Sequence, residues 1–578
     1  VIGSFKIKPQ IAVDAYKLNH KSMYPKGTTQ IYSNMTPRSG KIIEKIIPYQ
    51  VYDGKVVHFG LQGTIKNLIK LFDEEFFNKP LEEVIAGYSS VVRPFTEGLA
   101  DYTGLEELHR LGYLPIEIRG IPEGEVVPYK VPVFTVKNTH PDFAWLTNYL
   151  ETYLSNEYWK PATVATIARY YRKIFKHFAE KTGAPSEFVS WQGHDFSCRG
   201  MSGMMDSAMS GAGHLTSFLG SDTVISTDYL RENYNADSEL IAASVPASEH
   251  SVSSANILFN MKKFGVDRTE AEYLFFKDYV TKVVPNGIVS YVADTYDYWQ
   301  LLTEIAPRAK DLILNRGTDS LGNSKVVFRP DSGDPLEMIC GKGVITFRDF
   351  QELEWHCNLL TINERSFESC GPFIFSDVVK IQDKYYKVSL ALNSSMRSNS
   401  RVTVSYKEVD PPPEVKGSIQ CLWEIFGGTI NEKGFKVLNS KVGLIYGDSI
   451  TPQRAWDILE KLTEQGFETS CIVFGIGSYT YQYITRDTLG FAIKATYLEC
   501  DGLNINLYKD PKTGDGFKKS AKGLLQVIKD ASTGEYVLKD QVQAAEERDS
   551  CLEVVCRDSL LVGETSLASI RKNVTNSI

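Results

Sequence analysis

Cysteine is scarce and scattered: nine in 578 residues, with no C-x-x-C pair. That argues against a zinc site or a disulfide framework and suits a reducing cytoplasm. No unbroken apolar run reaches membrane-spanning length, so no transmembrane helix is expected. The opening stretch "VIGSFKIKPQ" lacks the apolar core and the small-residue cleavage site of a signal peptide. An excess of positive charge is missing too. The formal net charge is −8, which gives no support for a nucleic-acid or membrane partner, because those need clustered cations. The P-loop pattern G-x-x-x-x-G-K-S/T is absent. So is the dinucleotide pattern G-x-G-x-x-G, because after Gly475 and Gly477 the third position holds Thr480. There is no Asp-Asp pair, no internal repeat and no low-complexity segment.

What remains is an ordinary globular composition, 43% hydrophobic and 23% charged. The length calls for at least two structural units. Residues 1–160 read as a mixed α+β domain. "TTQIYSN" (28–34) is strand-like and "LQGTIKNLIKLFDEEF" (61–76) is an amphipathic helix. "LPIEIRGIPEGEVVPYKVPVFTVKN" (114–138) has the alternation and Pro/Gly punctuation of an antiparallel sheet. From Thr163 the apolar residues Val164, Ile167, Tyr171, Ile174 and Phe178 fall at helical spacing, and Gly183 marks the stop. Residues 161–490 then read as an α/β barrel-like domain, and 491–578 are expected to rejoin the first. Its strand-like runs are "EFVSW" (187–191), "IVSYVAD" (288–294), "KVVFRPD" (325–331), "KVGLIYGD" (441–448) and "CIVFGIG" (471–477). The last two flank a helix with Thr451 as N-cap and Pro452 at its first position. Ala455, Ile458, Leu459 and Leu462 line one face, and Gly466 closes it. That is a βαβ crossover, which requires parallel strands. Between about 336 and 440 the pattern breaks into an inserted, partly β excursion.

Several of these runs end in reactive polar groups. "HDFSCRG" supplies His194, Asp195, Phe196 and Arg199; "SVPASEH" supplies Glu249 and His250; "YVAD" supplies Asp294. "FRPDSG" supplies Arg329 and Asp331, "IYGDS" supplies Gly447 and Asp448, and "FGIGS" supplies Gly477 and Ser478. A single such ending is a turn. Many along one α/β region point to a site, because the carboxyl ends of parallel strands converge on one face. The glycines offer backbone N–H groups to a phosphate, and Arg199, Arg329, Arg486 and Lys494 are candidate phosphate cations. Asp331 and Asp448 suit ribose hydroxyls or Mg²⁺. Asp294 is placed to orient His250 as a nucleophile or proton shuttle.

Taken in order, "DAYKLNH" (14–20), "YLPIEIRGIPEG" (113–124), "HDFSCRG" (194–200), "GSDTV" (220–224), "SVPASEH" (244–250), "FRPDSG" (328–333), "YGDSI" (446–450), "TRD" (485–487) and "GLNINLYKDP" (502–511) resemble the nicotinamide phosphoribosyltransferases. The resemblance runs from about residue 10 to residue 573 apart from the insertion. The missing Asp-Asp pair agrees with the type II class of phosphoribosyltransferase, which has an irregular α/β barrel-like domain beside a mixed α+β domain with an antiparallel sheet.

The resemblance implies transfer of phosphoribosyl from phosphoribosyl pyrophosphate to nicotinamide, giving nicotinamide mononucleotide and pyrophosphate in NAD salvage. Mg²⁺ and ATP as co-substrate come with it, although no metal ligand set is identified. So does a cytoplasmic homodimer with shared active sites. By that resemblance Phe196 stacks on one face of the pyridine ring, Tyr16 of the partner subunit covers the other, and Asp222 accepts from the carboxamide. His250 is the residue phosphorylated when ATP hydrolysis is coupled to synthesis, with Glu249 and Asp294 as neighbours. Arg329 and Asp331 hold the ribose phosphate portion. Gly447, Asp448, Gly477 and Ser478 line the 5′-phosphate and ribose pocket, and Arg486 and Lys494 reach phosphate across the dimer interface. The chain departs from the family pattern at Ser478 and Tyr479, where more glycine is expected, and at Ala492, where a serine is expected. Two alternatives stay open: a nicotinate phosphoribosyltransferase, and a non-catalytic binding protein on the same scaffold.

Overall fold

The computed structural model describes residues 5–98, 101–236, 240–362, 378–392, 402–509 and 520–578. Cys370, Asp510 and Pro511 lie outside the described residues, as does part of the 336–440 segment.

The N-terminal part supplies three strands to one sheet: β1 (Thr28–Thr36), β2 (Ile116–Gly120) and β3 (Phe134–Asn138). They lead into α1 (Glu151–Thr182), which starts well before the expected Thr163 and runs through Pro161. Proline removes an amide there and hides the helix from sequence reading. Burial of Leu154, Tyr158 and Ala162 on the core holds the first turns in place. Gly183, at φ 79°, ends the helix as expected.

Next come β4 (Gly193–Asp195), β5 (Gly220–Ser221), α2 (His250–Phe264), β6 (Gly287–Val292), β7 (Ser324–Arg329), β8 (Val442–Tyr446), α3 (Pro452–Glu464) and β9 (Ile472–Ile476). "EFVSW" is not a strand. It forms the short helical turns Ser186–Phe188 and Val189–Gln192, and the strand is the three residues after it. A strand that short, opening on glycine, carries no period that could reveal it. The β8–α3–β9 crossover is present as read: Thr451 accepts from Arg454 N, and β8 pairs parallel with β9.

All neighbours in the sheet β5-β4-β9-β8-β7-β6 are parallel. Its two edges are joined by residues 243–247. Ala243 bridges Gly220 on β5 and Ala247 bridges Ser290 on β6, both in parallel sense. The sheet is thereby closed into an irregular barrel, and every strand ends at one mouth.

The chain then returns to the first sheet with β10 (Ala492–Cys500), β11 (Leu503–Asn506), β12 (Glu553–Arg557) and β13 (Leu560–Leu561). The resulting antiparallel order is β11-β10-β1-β3-β2-β12-β13, so both ends of the chain build one sheet.

The excursion is narrower than 336–440. Its four-stranded sheet encloses a small core of its own from Phe347, Leu353, Cys357, Val379, Ile381 and Val388. Ile339 and Cys340 before it, and Ile419, Leu422 and Phe426 after it, belong to the main core. Burial reclaims the chain immediately after the three prolines at 411–413.

One buried ion pair ties α1 to the first domain. Asp53 accepts from Arg169 at 3.2 and 2.8 Å, from Lys173 at 2.8 Å and from the Tyr170 hydroxyl at 2.9 Å. Burial alone would raise its carboxyl, but Arg169 and Lys173 outweigh burial and hold it well below the usual carboxylate range. A carboxyl depressed by folding stabilises above its unfolded value, about 4, and that contribution is lost as pH falls below it. Asp53→Ala strands the Arg169 guanidinium, which is 1% exposed. The expected cost is about 3 kcal/mol at pH 7, shrinking towards acid pH. Denaturant midpoints of the two proteins at pH 7 and near pH 3 measure both effects.

Candidate active site

β4 sets the floor of the mouth. Alternation along a strand puts His194 and Phe196 on one side. The cross-strand partners of His194 are Gly475 on β9 and Gly220 on β5. Both need to be glycine. A Cβ at Gly220 would stand 2.6 Å from His194 Nδ1. A Cβ at Gly475 would stand 2.3 Å from Phe196 Cδ2, and one at Gly447 would stand 2.7 Å from the same atom. The Phe196 ring therefore lies across the ends of β8 and β9. His194 meets it edge-on at 5.1 Å.

Asp222 follows β5, and its amide donates to Asp195 O at 2.9 Å. Its side chain is 45% exposed, with Oδ1 2.9 Å from His194 Nε2 and 2.5 Å from Ser244 Oγ. Burial pulls this carboxyl up. The hydrogen bond and charge of His194, the Ser244 hydroxyl and the Arg329 charge outweigh it and hold the group below its ordinary value. Arg329 itself donates to Ser248 O at 3.4 Å, and its Nε is buried without a hydrogen-bond partner. An orphaned guanidinium N–H is costly unless an anion takes it.

A second group gathers at the ends of β6 and β7. Asp294 Oδ2 accepts from Asp331 N at 2.9 Å and from Ser332 Oγ at 2.6 Å. Asp294 Oδ1 is buried without a donor and lies 3.9 Å from His250 Nε2. Asp331 Oδ2 lies 4.0 Å from the same nitrogen. His250 Nδ1 is 3.2 Å from Thr295 Oγ1. Glu249 does not touch the ring. It is the N-cap of α2, accepting from Val252 N, and it also takes the Ser251 hydroxyl. Its carboxyl is lowered by those hydrogen bonds first. Glu249 thus caps the helix that His250 opens, while Asp294, the other expected neighbour, and Asp331, expected on the ribose phosphate, are the carboxylates that face Nε2.

Gly447 and Asp448 follow β8, and Asp448 is exposed. Ser449 follows at φ 50°, a left-handed conformation that favours glycine, and its carbonyl takes a bond from Arg454 at 2.5 Å. Gly477 caps the short helix Ser478–Tyr481 after β9. Ser478 packs on Gly200, next to the exposed Arg199. Among the described residues, no three His, Cys, Asp or Glu side chains gather as a metal site. The carboxylates at the mouth are engaged separately, Asp222 by His194 and Ser244 and Asp294 by Asp331 N and Ser332, and do not gather as one ligand set.

Three expected site residues, Tyr16, Arg486 and Lys494, share charged neighbours with one another. Tyr16 is 66% exposed, and its charged neighbours include Asp14, Glu151 and Arg486. Lys494 on β10 lies 3.9 Å from Glu151, and its ammonium is lowered by burial and by Arg38, Lys17 and Lys509. Arg38 is lowered by burial and by Arg486. These residues form a cation-rich patch on the first domain. Among the described residues no contact joins it to Phe196 or Asp222 of the same chain.

Sequence reading quoted His194 and Ser244 inside motifs without giving either a role on Asp222, and it missed Gly475 as the seat of Phe196 and Arg38 in the cation patch. The i, i+2 spacing of His194 and Phe196 was the available signal for the first. Nothing local signals the others.

A model of the nicotinate phosphoribosyltransferase (NAPRTase) family matches residues 191–550, which begin at the entry to β4. A nicotinamide phosphoribosyltransferase of Acinetobacter baylyi is 42% identical over 577 residues, covering 100% of this chain and 98% of that protein. One from Mycoplasma pneumoniae is 30% identical over 546 residues, covering 89% and 95% respectively. One from Xanthomonas campestris is 29% identical over 568 residues, covering 96% of each. With a barrel mouth of this composition and relatives that match end to end, the chain belongs to the nicotinate phosphoribosyltransferase family.

Proposed function

We propose that this protein is a nicotinamide phosphoribosyltransferase. It joins the pyridine nitrogen of nicotinamide to C1′ of phosphoribosyl pyrophosphate; the C1′–O bond to pyrophosphate breaks, and nicotinamide mononucleotide leaves for NAD salvage. The observation that carries the amide reading is Asp222. An ionised carboxylate held by His194, the residue that meets the Phe196 ring, accepts from an amide N–H₂ and repels a second carboxylate. The same observation weighs against nicotinate. The presence of His250, Asp331 and the mouth glycines weighs against a non-catalytic scaffold.

Phe196 stacks on the pyridine ring, worth about 0.5–1.5 kcal/mol beyond burial. Loss of pyrophosphate develops positive charge on the ribose and negative charge on the leaving group. Arg329, with its unpaired buried Nε, stabilises the negative side. Mg²⁺ arrives with the diphosphate as part of the substrate. Asp331 and Asp448 accept from the ribose hydroxyls. A ring nitrogen of His250 takes the γ-phosphoryl of ATP as the bond to the β-phosphate breaks and ADP leaves, and water later hydrolyses the phosphohistidine to phosphate; Nε2 faces two carboxylates, and Asp294 steadies the charged form of the ring. A second copy of the chain supplies Tyr16, Arg486 and Lys494, so the working form is a homodimer. It works in the cytoplasm, as the free state of all eight described cysteines supports. Among the described residues no helix is long and apolar enough to cross a membrane.

A product assay tests this reading. Protein, Mg²⁺ and phosphoribosyl pyrophosphate are offered nicotinamide or nicotinate, with and without ATP. The expected product is nicotinamide mononucleotide from the amide, with a rate raised by ATP. His250→Ala is expected to keep a basal transfer rate and lose the ATP response. Product from nicotinate alone would overturn the amide reading, and an ATP response that survives in His250→Ala would remove the phosphohistidine.

A further inference from the structure

Asp222 is gripped by donors from two elements, and both reach one oxygen. His194 Nε2 and Ser244 Oγ lie 2.9 and 2.5 Å from Oδ1. Among the described residues no donor reaches Oδ2. An ionised carboxylate only accepts, so Nε2 must carry the ring proton in this pair. The ring has little freedom to leave. It lies against Gly220 and also meets the Phe196 ring in a T-shaped contact, with the centroids 5.1 Å apart. Ser244 is set independently. It follows Ala243, whose bridge to Gly220 closes the barrel. Closure of the barrel thus brings the Ser244 hydroxyl to the same oxygen that β4 reaches with His194.

We propose that His194 and Ser244 are positioning residues that pin Asp222 through Oδ1, so that Oδ2 alone is presented to the ring substituent and the pocket selects a primary carboxamide over the corresponding acid. This rests on the amide reading of the site. With both donors in place the carboxylate cannot rotate to share its charge with other groups, and its free oxygen keeps one direction. With either donor gone, the side chain samples other rotamers and the acceptor is present only part of the time. His194 also couples the acceptor to the stacking ring, so its loss disturbs two contacts with the same ligand and Ser244 only one.

The test compares wild type with Ser244→Ala, His194→Ala and His194→Gln, measuring KM and kcat for nicotinamide and nicotinate. Removing a hydrogen bond to a charged group is expected to raise the nicotinamide KM about tenfold in Ser244→Ala, and by more than that in His194→Ala, which also loses its contact with the stacking ring. The change in kcat is expected to be smaller, and the preference for amide over acid falls by a similar factor. Gln can place an amide N–H near the position of Nε2, so His194→Gln is expected to recover most of the preference. An unchanged KM and preference in both alanine variants would overturn the inference. So would a His194→Gln protein no better than His194→Ala with Ser244→Ala unaffected, which would leave His194 a packing role. A wild-type protein that uses only nicotinate would overturn the amide reading itself, whereas an amide-selective wild type with indifferent variants would overturn this inference alone.

Discussion

Asp222→Asn is expected to admit nicotinate. Two carboxylates about 4 Å apart at an effective dielectric of about 20 repel by about 4 kcal/mol. Removing one charge relieves up to about a thousandfold in binding of the acid. The surroundings also decide which way the new amide points. His194 and Ser244 both face the Oδ1 position as donors, so the Asn oxygen belongs there and its N–H₂ turns to the ligand. That arrangement donates to a carboxylate and offers nothing to an amide N–H₂. The ratio of kcat/KM for amide over acid is therefore expected to fall by two to three orders of magnitude, roughly, with loss on the amide side and gain on the acid side. Asp222 is half open and carries no core packing, so the melting temperature should stay near wild type. Steady-state kinetics with both substrates decides it. An Asn variant as selective as wild type would mean that Asp222 does not face the substituent.

Gly475→Ala is the second large effect, and it acts without touching a charged or hydrogen-bonding group. The added methyl would sit 2.3 and 2.4 Å from Phe196 Cδ2 and Cε2, and 2.8 Å from the Gly447 Cα. Nothing in a packed strand end absorbs overlaps of that size without movement. The ring must swing away and β8 and β9 must part slightly, at a cost of about 1–3 kcal/mol in stability. Displacing the ring forfeits the pyridine stack, so the nicotinamide KM is expected to rise about tenfold. The reading is tested with Phe196→Ala. If Gly475 matters through the ring, Gly475→Ala adds little further KM loss once the ring is gone, and a double-mutant cycle records the coupling. Fully additive losses would show that the strand ends, not the ring, carry the effect.

Local pattern made much of the fold legible. The βαβ unit was readable because Thr451, Pro452 and Gly466 punctuate it and four apolar residues mark its buried face. The runs ending at Asp294, Arg329 and Asp448 were readable because buried parallel strands are apolar and their ends are not. The same rule found the mouth, and Phe196, Asp222, His250, Asp294, Arg329 and Asp331 stand around it. What stayed hidden was short or non-local. β4 and β5 have three and two residues, too few for any period. The closing segment makes single bridges to two strands, one at residue 220 and one at residue 290. Glu249, beside a histidine in a motif, gives no local sign that it is also the N-cap of α2.

The sequence by itself determined the order of elements, the parallel sense of the crossover and the chemistry available at the strand ends, because propensity, period and turn residues act over a few neighbours. Only the tertiary structure decided how that chemistry is arranged. Cross-strand register sets which glycine lies under which ring. Barrel closure brings Ser244 and His194 to one oxygen of Asp222. A sheet built from both ends of the chain puts Lys494 beside Arg38. Each of these pairings joins residues tens to hundreds of positions apart, and no single stretch of chain encodes the contact.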